Sequence, residues 1–364
     1  MTLGPDAADD FLLRHLADEA VDLTGTVVVF GDRTGELVRA LAAAASSGPV
    51  LITDSHLAAA TPGAHAAARI LTTQDEPPER IDVLVVRIPK SLALLEDQLH
   101  RLAPRLHQGS IVVGTGKVTE IHTSTLALFE KLIGPTRTSL AVRKARLIFA
   151  APDPAAAATA PANPWPLRYA LPVDKSLGPV AGRTVVNHAG VFCADRLDIG
   201  TRFLLEHLPV RRGTDHVVDL GCGNGVLGLA AALANPAARL TFLDESFPAI
   251  ASARATFAEN VPVAQFEPAE FRAGDATAPL PPASADLVLN NPPFHTHRAT
   301  SDEAAWRMFT GARRVLRPGG ELWVVANRHL GYHGKLRRVF GDCETVAGNT
   351  KFVILRATAS GAWK

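Results

Sequence analysis

The chain has 364 residues, of which 47% are hydrophobic and 20% are charged. This composition excludes general disorder, and the length is about twice that of a typical single domain, so we expect two domains that each bury a core. Its 37 Lys and Arg residues against 36 Asp and Glu residues give a formal net charge of +1, which excludes a uniformly basic coat for nucleic acid.

In the first half of the chain, short apolar runs typical of strands alternate with amphipathic stretches typical of helices. In chain order we predict a strand at Thr26 to Phe30, a helix through Leu37, Leu41 and Ala44, strands at Val50 to Thr53 and Ile81 to Arg87, a helix at Ser91 to Leu106 and a strand at Ser110 to Gly114. The stretch from Ala151 to Pro166 contains five prolines. It predicts a linker or an extended connection, because proline cannot donate to a regular ladder of backbone bonds.

The same alternation returns in the second half. We predict strands at Val217 to Leu220, Arg239 to Leu243, Ala285 to Leu289 and Glu321 to Ala326, and helices at Val226 to Ala234, Phe247 to Ala258 and Asp302 to Leu316. At the end, Cys343 to Ala347 and Lys351 to Arg356 flank Gly348-Asn349, and two strands joined by so tight a turn are antiparallel. The sequence therefore predicts an α/β fold, a mostly parallel sheet covered by helices on both faces and ending in a hairpin.

The two halves look like copies of one unit. Val27 to Ala42 aligns with Val217 to Ala232, and Arg87-Ile88-Pro89-Lys90 stands where the second half has Asn291-Pro292-Pro293-Phe294. We interpret the first half as a duplicated domain that keeps the fold and loses the site. The predicted organisation is a degenerate domain at 1–155, a linker at 156–180 and a catalytic domain at 181–364.

The strongest local motif is Asp219-Leu220-Gly221-Cys222-Gly223-Asn224-Gly225, between a predicted strand and a predicted helix. Glycines allow positive φ and a close approach of the backbone to a ligand, and the helix N-terminus behind them offers unpaired N–H groups. The motif predicts a ligand-binding turn. The alternative is a tight strand-to-helix turn that binds nothing.

Two aspartates follow the next predicted strands. Asp244 can accept both hydroxyls of a ribose and Asp275 can accept from an adenine amino group, although either can be a cap or loop residue. These features leave two cofactors open. Gly223 to Gly228 satisfies the pattern G-x-G-x-x-G of a NAD-binding turn, with Asp244 at the expected distance. S-adenosylmethionine needs a similar turn and ribose acid, and Asp219 lies beside the space for its ammonium group.

The fourth predicted strand of the second half is followed by Asn290-Asn291-Pro292-Pro293-Phe294. The two prolines end the strand and stiffen the loop, so the Asn291 side-chain oxygen and the Pro292 carbonyl can accept from one planar NH2 group. Phe294 supplies a face on which a base can stack. Ligands of open α/β sheets bind beyond the carboxyl ends of the strands, which favours a binding role over a rigid turn around a buried Phe.

These motifs resemble those of the class I, Rossmann-like S-adenosylmethionine-dependent methyltransferases that methylate exocyclic or amide nitrogens. Further stretches are similar to a narrower family, the ribosomal RNA guanine-N2 methyltransferases, and most to its large-subunit (23S) branch: Asn187 to Phe192, Leu197 to Gly200, Asp244 to Ala249, Asn291 to His295, Val325 to Leu330, Lys335 to Phe340 and Lys351 to Val353. The resemblance implies two tandem methyltransferase-like domains. The first is degenerate, and the second has a seven-stranded sheet with a terminal antiparallel hairpin. The first half matches this family only in layout.

The resemblance also implies the chemistry. The cofactor is S-adenosyl-L-methionine, the substrate is an unpaired or flipped-out guanine of ribosomal RNA, in 23S more than in 16S, and the reaction methylates its exocyclic N2 amino group without a metal. The residues implied are, for catalysis, Asn291, Pro292, Pro293 and Phe294; for the cofactor, Asp219, Gly221, Cys222, Gly223, Asn224, Gly225, Asp244, Glu245, Asp275, Ala276 and Asn291; and for the substrate, Phe294, His295, Arg298 and Arg328.

Two alternatives stay open. A NAD-dependent oxidoreductase can use the same glycine turn but gives the Asn-Pro-Pro-Phe segment no role, and a non-catalytic RNA-binding assembly factor can retain the fold alone. Methyltransferases that modify glutamine or adenine share similar loops, and only the wider resemblance favours guanine.

RNA contact is predicted for the stretch from Gly311 to Val339, which has seven Lys or Arg residues against one acid, Glu321. Solvated helix faces are the alternative interpretation of this charge. His295 and His297 lack Cys or acidic partners at ligand spacing, so we expect substrate or surface roles for them and no metal.

The three cysteines, Cys193, Cys222 and Cys343, are too far apart for a disulfide scaffold or a Cys-rich zinc site and suit a reducing compartment. The first residues show no basic region followed by an apolar run, and no stretch approaches the ~18 apolar residues of a membrane span. We therefore expect a cytoplasmic protein without a membrane partner. The sequence does not fix the oligomeric state, and a monomer is our working assumption.

Overall fold

The computed structural model describes residues 6–45, 48–61, 63–293 and 298–361. The chain divides between Trp165 and Pro166 into two compact units, which we call unit 1 and unit 2. Each is built on a seven-stranded sheet with helices packed against it.

Unit 1 begins with a helix and then alternates strands and helices. Its strands are β1 (Val27–Phe30), β2 (Val50–Thr53), β3 (Arg69–Thr72), β4 (Ile81–Arg87), β5 (Leu106–Lys117), β6 (Thr136–Thr138) and β7 (Ala145–Ala150). Its helices are α1 (Ala7–Asp18), α2 (Glu36–Ala42), α3 (His56–Ala59), α4 (Ala64–Ala67), α5 (Leu92–Leu102), α6 (Thr123–Leu132) and α7 (Pro154–Thr159), with a 3-10 turn at Ala103–Arg105.

Unit 2 adds a two-stranded ribbon before its main sheet. Its strands are β8 (Leu167–Ala170), β9 (Thr184–Asn187), β10 (His216–Leu220), β11 (Arg239–Asp244), β12 (Glu270–Ala273), β13 (Ala285–Asn290), β14 (Leu316–Asn327), β15 (Glu344–Gly348) and β16 (Phe352–Thr358). Its helices are α8 (Ile199–Leu205), α9 (Val226–Ala234), α10 (Phe247–Asn260), α11 (Val263–Phe266), α12 (Arg298–Val315) and α13 (Tyr332–Phe340), with 3-10 turns at Lys175–Val180 and Arg328–Leu330.

The two sheets have the same strand order. It is β3-β2-β1-β4-β5-β7-β6 in unit 1 and β12-β11-β10-β13-β14-β16-β15 in unit 2. In both sheets the first five strands in this order are parallel, and the last two pair antiparallel. The predicted α/β fold with a terminal hairpin is therefore confirmed, and unit 1 has the same layout as unit 2.

The central strands are mostly apolar because both faces of each sheet are covered. In β10, Val217 packs into one buried cluster and Val218 into another, and β1 shows the same division between Val28 and Val29. Strands covered on both faces lose the alternation of apolar and polar residues. Asp219 interrupts the apolar run of β10 and is 1% exposed, so its burial needs a separate explanation.

The stretch from Ala151 to Pro166 is more regular than its prolines predict. Pro154 occupies the first turn of α7, and the Asp153 side chain accepts a hydrogen bond from the N–H of Ala155. Proline is tolerated in a first helical turn, and the alanines that follow have the highest helix propensity of any residue. The prolines therefore flank a short helix.

The second part of the predicted linker belongs to unit 2. Strand β8 pairs antiparallel with β9, and Leu177 and Val180 of the following 3-10 turn are buried in the core of unit 2. The apolar residues of this stretch are separated by polar residues and prolines, so the sequence shows no strand pattern here. Within the described residues, no helix is both long enough and apolar enough to cross a bilayer.

Candidate active site

The glycine turn joins β10 to α9 at the carboxyl edge of the unit 2 sheet. Helix α9 has no side-chain cap at Gly225. Instead Asp219 reaches up from the strand, and its Oδ2 accepts from the N–H of Gly228, at 2.8 Å. Its other oxygen, Oδ1, is buried and has no hydrogen-bond partner within the part of the chain that the structure describes. Burial, together with the charge of Asp244, raises the pKa of Asp219 to about 8, so this carboxyl group lacks a cationic partner.

Two glycines of this turn serve different purposes. Gly223 has a φ of +52°, and a Cβ added there would meet none of the described atoms within 4 Å, so the turn leaves open space beside it. At Gly228 an added Cβ would lie 2.2 Å from the ring of Phe242. Glycine at that position lets α9 pack closely on β11, which accounts for the last glycine of the G-x-G-x-x-G pattern.

Asp244 ends β11 beside the glycine turn. Its Oδ2 accepts from the N–H of Gly223 at 3.0 Å and its Oδ1 from the N–H of Ser246 at 2.9 Å. Burial raises the pKa of this carboxyl as well. Each carboxylate oxygen retains acceptor capacity after one hydrogen bond, so Asp244 can still accept from a pair of hydroxyls.

The remaining acids predicted for the cofactor lie at the same edge. The N–H of Gly274 donates to the Asp244 carbonyl at 2.9 Å, which brings the start of the Asp275-Ala276 loop next to β11. Asp275 is half-buried and forms an ion pair with Arg307 of α12, at 3.2 Å. Glu245 is exposed.

An asparagine that the sequence analysis did not assign to the site lies against the glycine turn. Asn187, at the end of β9, accepts from the Asn224 side chain through its Oδ1, at 3.1 Å. The Asn187 Nδ2 is buried and meets no hydrogen-bond partner in the described ranges. The sequence gives one signal for this residue: the stretch 187–192 resembles the guanine-N2 family. That resemblance assigns Asn187 no role.

Asn290 ends β13 and Asn291 follows it. Asn290 donates from Nδ2 to the carbonyl of Leu220 at 2.7 Å, which ties this strand to the start of the glycine turn. Asn291 donates from Nδ2 to Asp198 Oδ2 at 3.0 Å and to Thr201 Oγ1 at 2.8 Å. The Asn291 Oδ1 is buried and has no hydrogen-bond partner among the described residues, so this acceptor is unsatisfied there.

The loop after Asn291 is described only in part. Pro292 is buried and Pro293 is exposed. Phe294 and His295 lie outside the described residues, and so does the side chain of Arg298, although its backbone begins α12. In the ranges that the structure does describe, no group of three or more His, Cys, Asp or Glu side chains is arranged to hold a metal ion.

The predicted basic stretch is only partly exposed. Five of its residues are held by hydrogen bonds or ion pairs within unit 2: Arg313, Arg314, Arg317, Arg328 and Lys335. Arg313 is buried, whereas Arg317 and Arg328 are exposed despite these contacts. Arg337 and Arg338 are exposed on α13, so four arginines of the stretch are accessible.

Unit 1 lacks the two acids of the unit 2 turn. The strand registers place Val29 at the position of Asp219. Likewise they place Thr53 at the position of Asp244. In unit 1 a loop residue, Asp32, caps the helix after the turn, since its Oδ2 accepts from a first-turn N–H of α2 at 2.9 Å. The capping role is therefore kept without an acid in the strand.

Unit 1 also replaces the amide at the end of its fourth strand. The registers place Arg87 at the position of Asn291. Its guanidinium forms ion pairs with the carboxylates of Asp6, Asp9 and Glu120. Asp6 caps α1 as Asp198 caps α8, so in both units the residue at this position contacts the cap of a helix.

Comparison with known proteins covers both units. Two family models match, the RLMG N-terminal domain at residues 4–154 and the Methyltransferase small domain at residues 182–356. Ribosomal RNA large subunit methyltransferase G of Streptomyces coelicolor is 65% identical over 363 residues, 97% of this chain and 93% of the relative. The protein of the same name from Pseudomonas aeruginosa is 46% identical over 364 residues, 97% of this chain and 92% of the relative.

A solved structure shows the same fold. The T. thermophilus 16S rRNA N2 G1207 methyltransferase (RsmC), in complex with AdoMet and guanosine, matches with a TM-score of 0.79 over 98% of this chain and 92% of that chain. The sequences are 20% identical, so the likeness establishes the fold. It confirms the predicted tandem Rossmann-like domains.

Proposed function

The chain belongs to the family of ribosomal RNA large subunit methyltransferase G, and from this we propose that it methylates the exocyclic N2 amino group of a guanine in large-subunit ribosomal RNA. Membership selects a methyltransferase over the NAD-dependent oxidoreductase and the non-catalytic assembly factor that the sequence leaves open. The cofactor of the reaction is S-adenosyl-L-methionine, which supplies an electrophilic methyl group on a sulfonium.

We place the cofactor at the carboxyl ends of β10 and β11. The unpartnered Oδ1 of Asp219 is suited to the ammonium of the methionine moiety, because a buried carboxylate gains most from a cationic partner. The free acceptor capacity of Asp244 suits the ribose hydroxyls. Asp275 is the candidate for the adenine amino group, in competition with Arg307.

The observation that supports the catalytic role best is the buried, unpartnered Oδ1 of Asn291. The lone pair of the guanine N2 atom is delocalised into the ring, so the amino group is a weak nucleophile that gains from orientation. Hydrogen bonds from this amino group to Asn291 Oδ1 and the Pro292 carbonyl would hold the nitrogen in line with the methyl group. Orientation of this kind can contribute about 7–11 kcal/mol to a rate.

The substrate base must be unpaired or flipped out, because an amino group inside a stacked helix cannot reach such a site. Phe294 is the candidate for stacking on the base. Arg328, exposed after β14, is a candidate for contact with phosphates, for which a salt-dependent affinity for RNA is expected.

The test is the variant Asn291→Ala. It removes the acceptor, so we expect kcat to fall about 10²-fold while the Kd for S-adenosylmethionine stays unchanged. Turnover is measured as methyl incorporation into large-subunit rRNA that lacks the modification, and the Kd by calorimetric titration.

Asn163→Ala is the matched control, because Asn163 bonds Asp97 in unit 1 and lies outside the proposed site. Full turnover in Asn291→Ala would refute the role of this amide. Mass mapping of nucleotides from cells with and without the gene identifies the methylated base, and a change at any base other than guanine would refute the proposed substrate.

A further inference from the structure

The Asn291 side chain is held by a small network at the start of α8. Asp198 is the N-cap of that helix, and its Oδ2 accepts from the backbone N–H of Thr201 at 2.8 Å. The same oxygen accepts from Asn291 Nδ2 at 3.0 Å, and Thr201 Oγ1 lies 2.8 Å from the same nitrogen. Both partners therefore meet the NH2 end of the amide.

This contact distinguishes the two ends of the amide. An ionised carboxylate has no proton to donate, so it accepts from Nδ2 and repels Oδ1. A 180° flip of the amide would bring Oδ1 against Asp198 and turn the NH2 group away from it. The carboxylate therefore fixes which end of the Asn291 amide meets the start of α8.

We propose that Asp198, assisted by Thr201, is a positioning residue that keeps the Asn291 Oδ1 turned toward the nucleophile. The inference rests on the proposed function of Asn291 and extends it to residues ninety or more positions earlier in the chain. Asp198 acts through Asn291 and does not touch the substrate.

The orientation has a consequence for selectivity. With Oδ1 presented, the site accepts from an NH2 group such as guanine N2. With Nδ2 presented, the site would donate, which suits a carbonyl such as guanine O6 and opposes an amino group. The Asp198 carboxylate thus selects an amino nucleophile over a carbonyl on the same base.

Unit 1 has a contact at the corresponding place, between a helix N-cap and the end of the fourth strand. The residue types determine what that contact does. There the N-cap Asp6 binds Arg87, at 2.9 Å, at the position of Asn291. When the cap acid meets a guanidinium, the two charges pair and no acceptor remains for a ligand. When it meets an amide, as in unit 2, it binds the NH2 group and leaves the amide oxygen as a free acceptor.

The test uses two substitutions that keep the helix cap. Asp198→Asn retains capping, because Asn and Asp are equally good N-caps, but its amide can face either end of Asn291. We expect kcat to fall about 10-fold through lost orientation, with an unchanged Kd for S-adenosylmethionine and an unchanged melting temperature. Thr201→Val removes one acceptor but keeps the backbone N–H, and we expect a smaller loss that Thr201→Ser restores.

A double-mutant cycle shows whether Asp198 acts through Asn291. In the Asn291→Ala background, we expect Asp198→Asn to change kcat by less than about twofold, because there is no amide left to orient. Asp6→Asn is the matched control, an N-cap aspartate at the corresponding place in unit 1, and we expect no effect on kcat.

Three results would overturn the proposal: wild-type kcat in Asp198→Asn, an equal loss in the Asn291→Ala background, or a parallel loss of cofactor affinity. If Asp198→Asn does not fold, Thr201→Val with Thr201→Ser decides. Full activity of Asn291→Ala would instead refute the proposed function, so the two failures are distinguishable.

Discussion

Asp219 combines a helix cap and a binding group in one buried side chain. Its Oδ2 is satisfied by the first turn of α9, and its Oδ1 is not satisfied. Burial raises its pKa to about 8, whereas an exposed Asp titrates near 4. Between these pH values the folded protein binds more protons than the unfolded chain at this residue. The contribution of Asp219 to stability is therefore present at low pH and is lost as the pH rises toward 8.

This pKa shift leads to a prediction for Asp219→Asn. The amide keeps an acceptor for the N–H of Gly228 and cannot ionise, so we expect the variant to become more stable than the wild type as the pH rises from about 4 to 8. Urea unfolding at a series of pH values measures the difference in the free energy of unfolding. Parallel curves for the two proteins would contradict the shift.

The same variant should bind S-adenosylmethionine more weakly, because a neutral amide replaces the partner of the ammonium. Calorimetric titration at pH 8 measures this, and Asp286→Asn at the opposite edge of the sheet is the control. Unchanged affinity would show that the ammonium binds elsewhere.

At the residue scale, local sequence motifs predict where the acids and the amide of the site lie. They do not predict the residues that hold the amide in place. Asp219 is the penultimate residue of β10, Asp244 ends β11 and Asn291 follows β13, so their placement at the sheet edge can be read from the sequence. Asp198 and Thr201 meet Asn291 across at least ninety positions, and no local pattern signals that contact. The assignment of all these residues to the site stays a prediction.

Among the secondary-structure elements, α1 is fastened to β4 by charge. Arg87 is 15% exposed and is paired with three carboxylates, and Asp9, one of the three, is 8% exposed. Burial raises the pKa of Asp9 to about 6, and Arg87 opposes that rise. The negative charges of this cluster are thus compensated only while the guanidinium is present.

We therefore predict that Arg87→Ala destabilises unit 1 by about 3 kcal/mol, because removal of the guanidinium leaves the buried Asp9 uncompensated. Hydrogen exchange of the β4 amides reports the loss locally. The control is Arg105→Ala, whose partner Glu76 is 83% exposed and for which less than about 1 kcal/mol is expected. Equal effects of the two variants would refute the role of the cluster.

Strands with a clear apolar run are predictable even when they are short, as β1 and β2 are, whereas elements next to prolines are not. The terminal hairpin was predicted because Gly348-Asn349 leaves room only for a tight turn. Helix α7 was missed because its prolines outweighed its alanines, although Pro154 sits where a helix tolerates it. Strand β8 was missed because Leu167–Ala170 lies next to several prolines and pairs only with β9.

On the scale of the whole molecule, two sheets with the same strand order carry different residues at their carboxyl edges. Unit 1 has Val29 and Thr53 where unit 2 has Asp219 and Asp244, so it lacks both acids of the proposed cofactor site. We predict one S-adenosylmethionine site per chain. Calorimetric titration gives the stoichiometry, and the double variant Asp219→Ala with Asp244→Ala should bind none. A second site, or residual binding in the double variant, would contradict this prediction.

The internal similarity predicted the repeat of the fold, because Val27 to Ala42 and Val217 to Ala232 share a strand, a turn and a helix. It did not extend to the hairpin of unit 1. The strands β6 and β7 are separated by a longer connection with no Gly-Asn turn, so their pairing depends on contacts with β5 that the sequence does not display.

The shared strand order also bears on how the chain reaches its native state. Two sheets of one topology in a single polypeptide offer each strand a wrong neighbour, and misassembly between similar domains is a known failure of repetitive proteins. Synthesis on the ribosome reduces this hazard, since the leading half can close its sheet before the trailing half emerges. On dilution from denaturant both halves begin to fold at the same time. We therefore expect refolding of the full chain to be slower and less complete than its folding during synthesis.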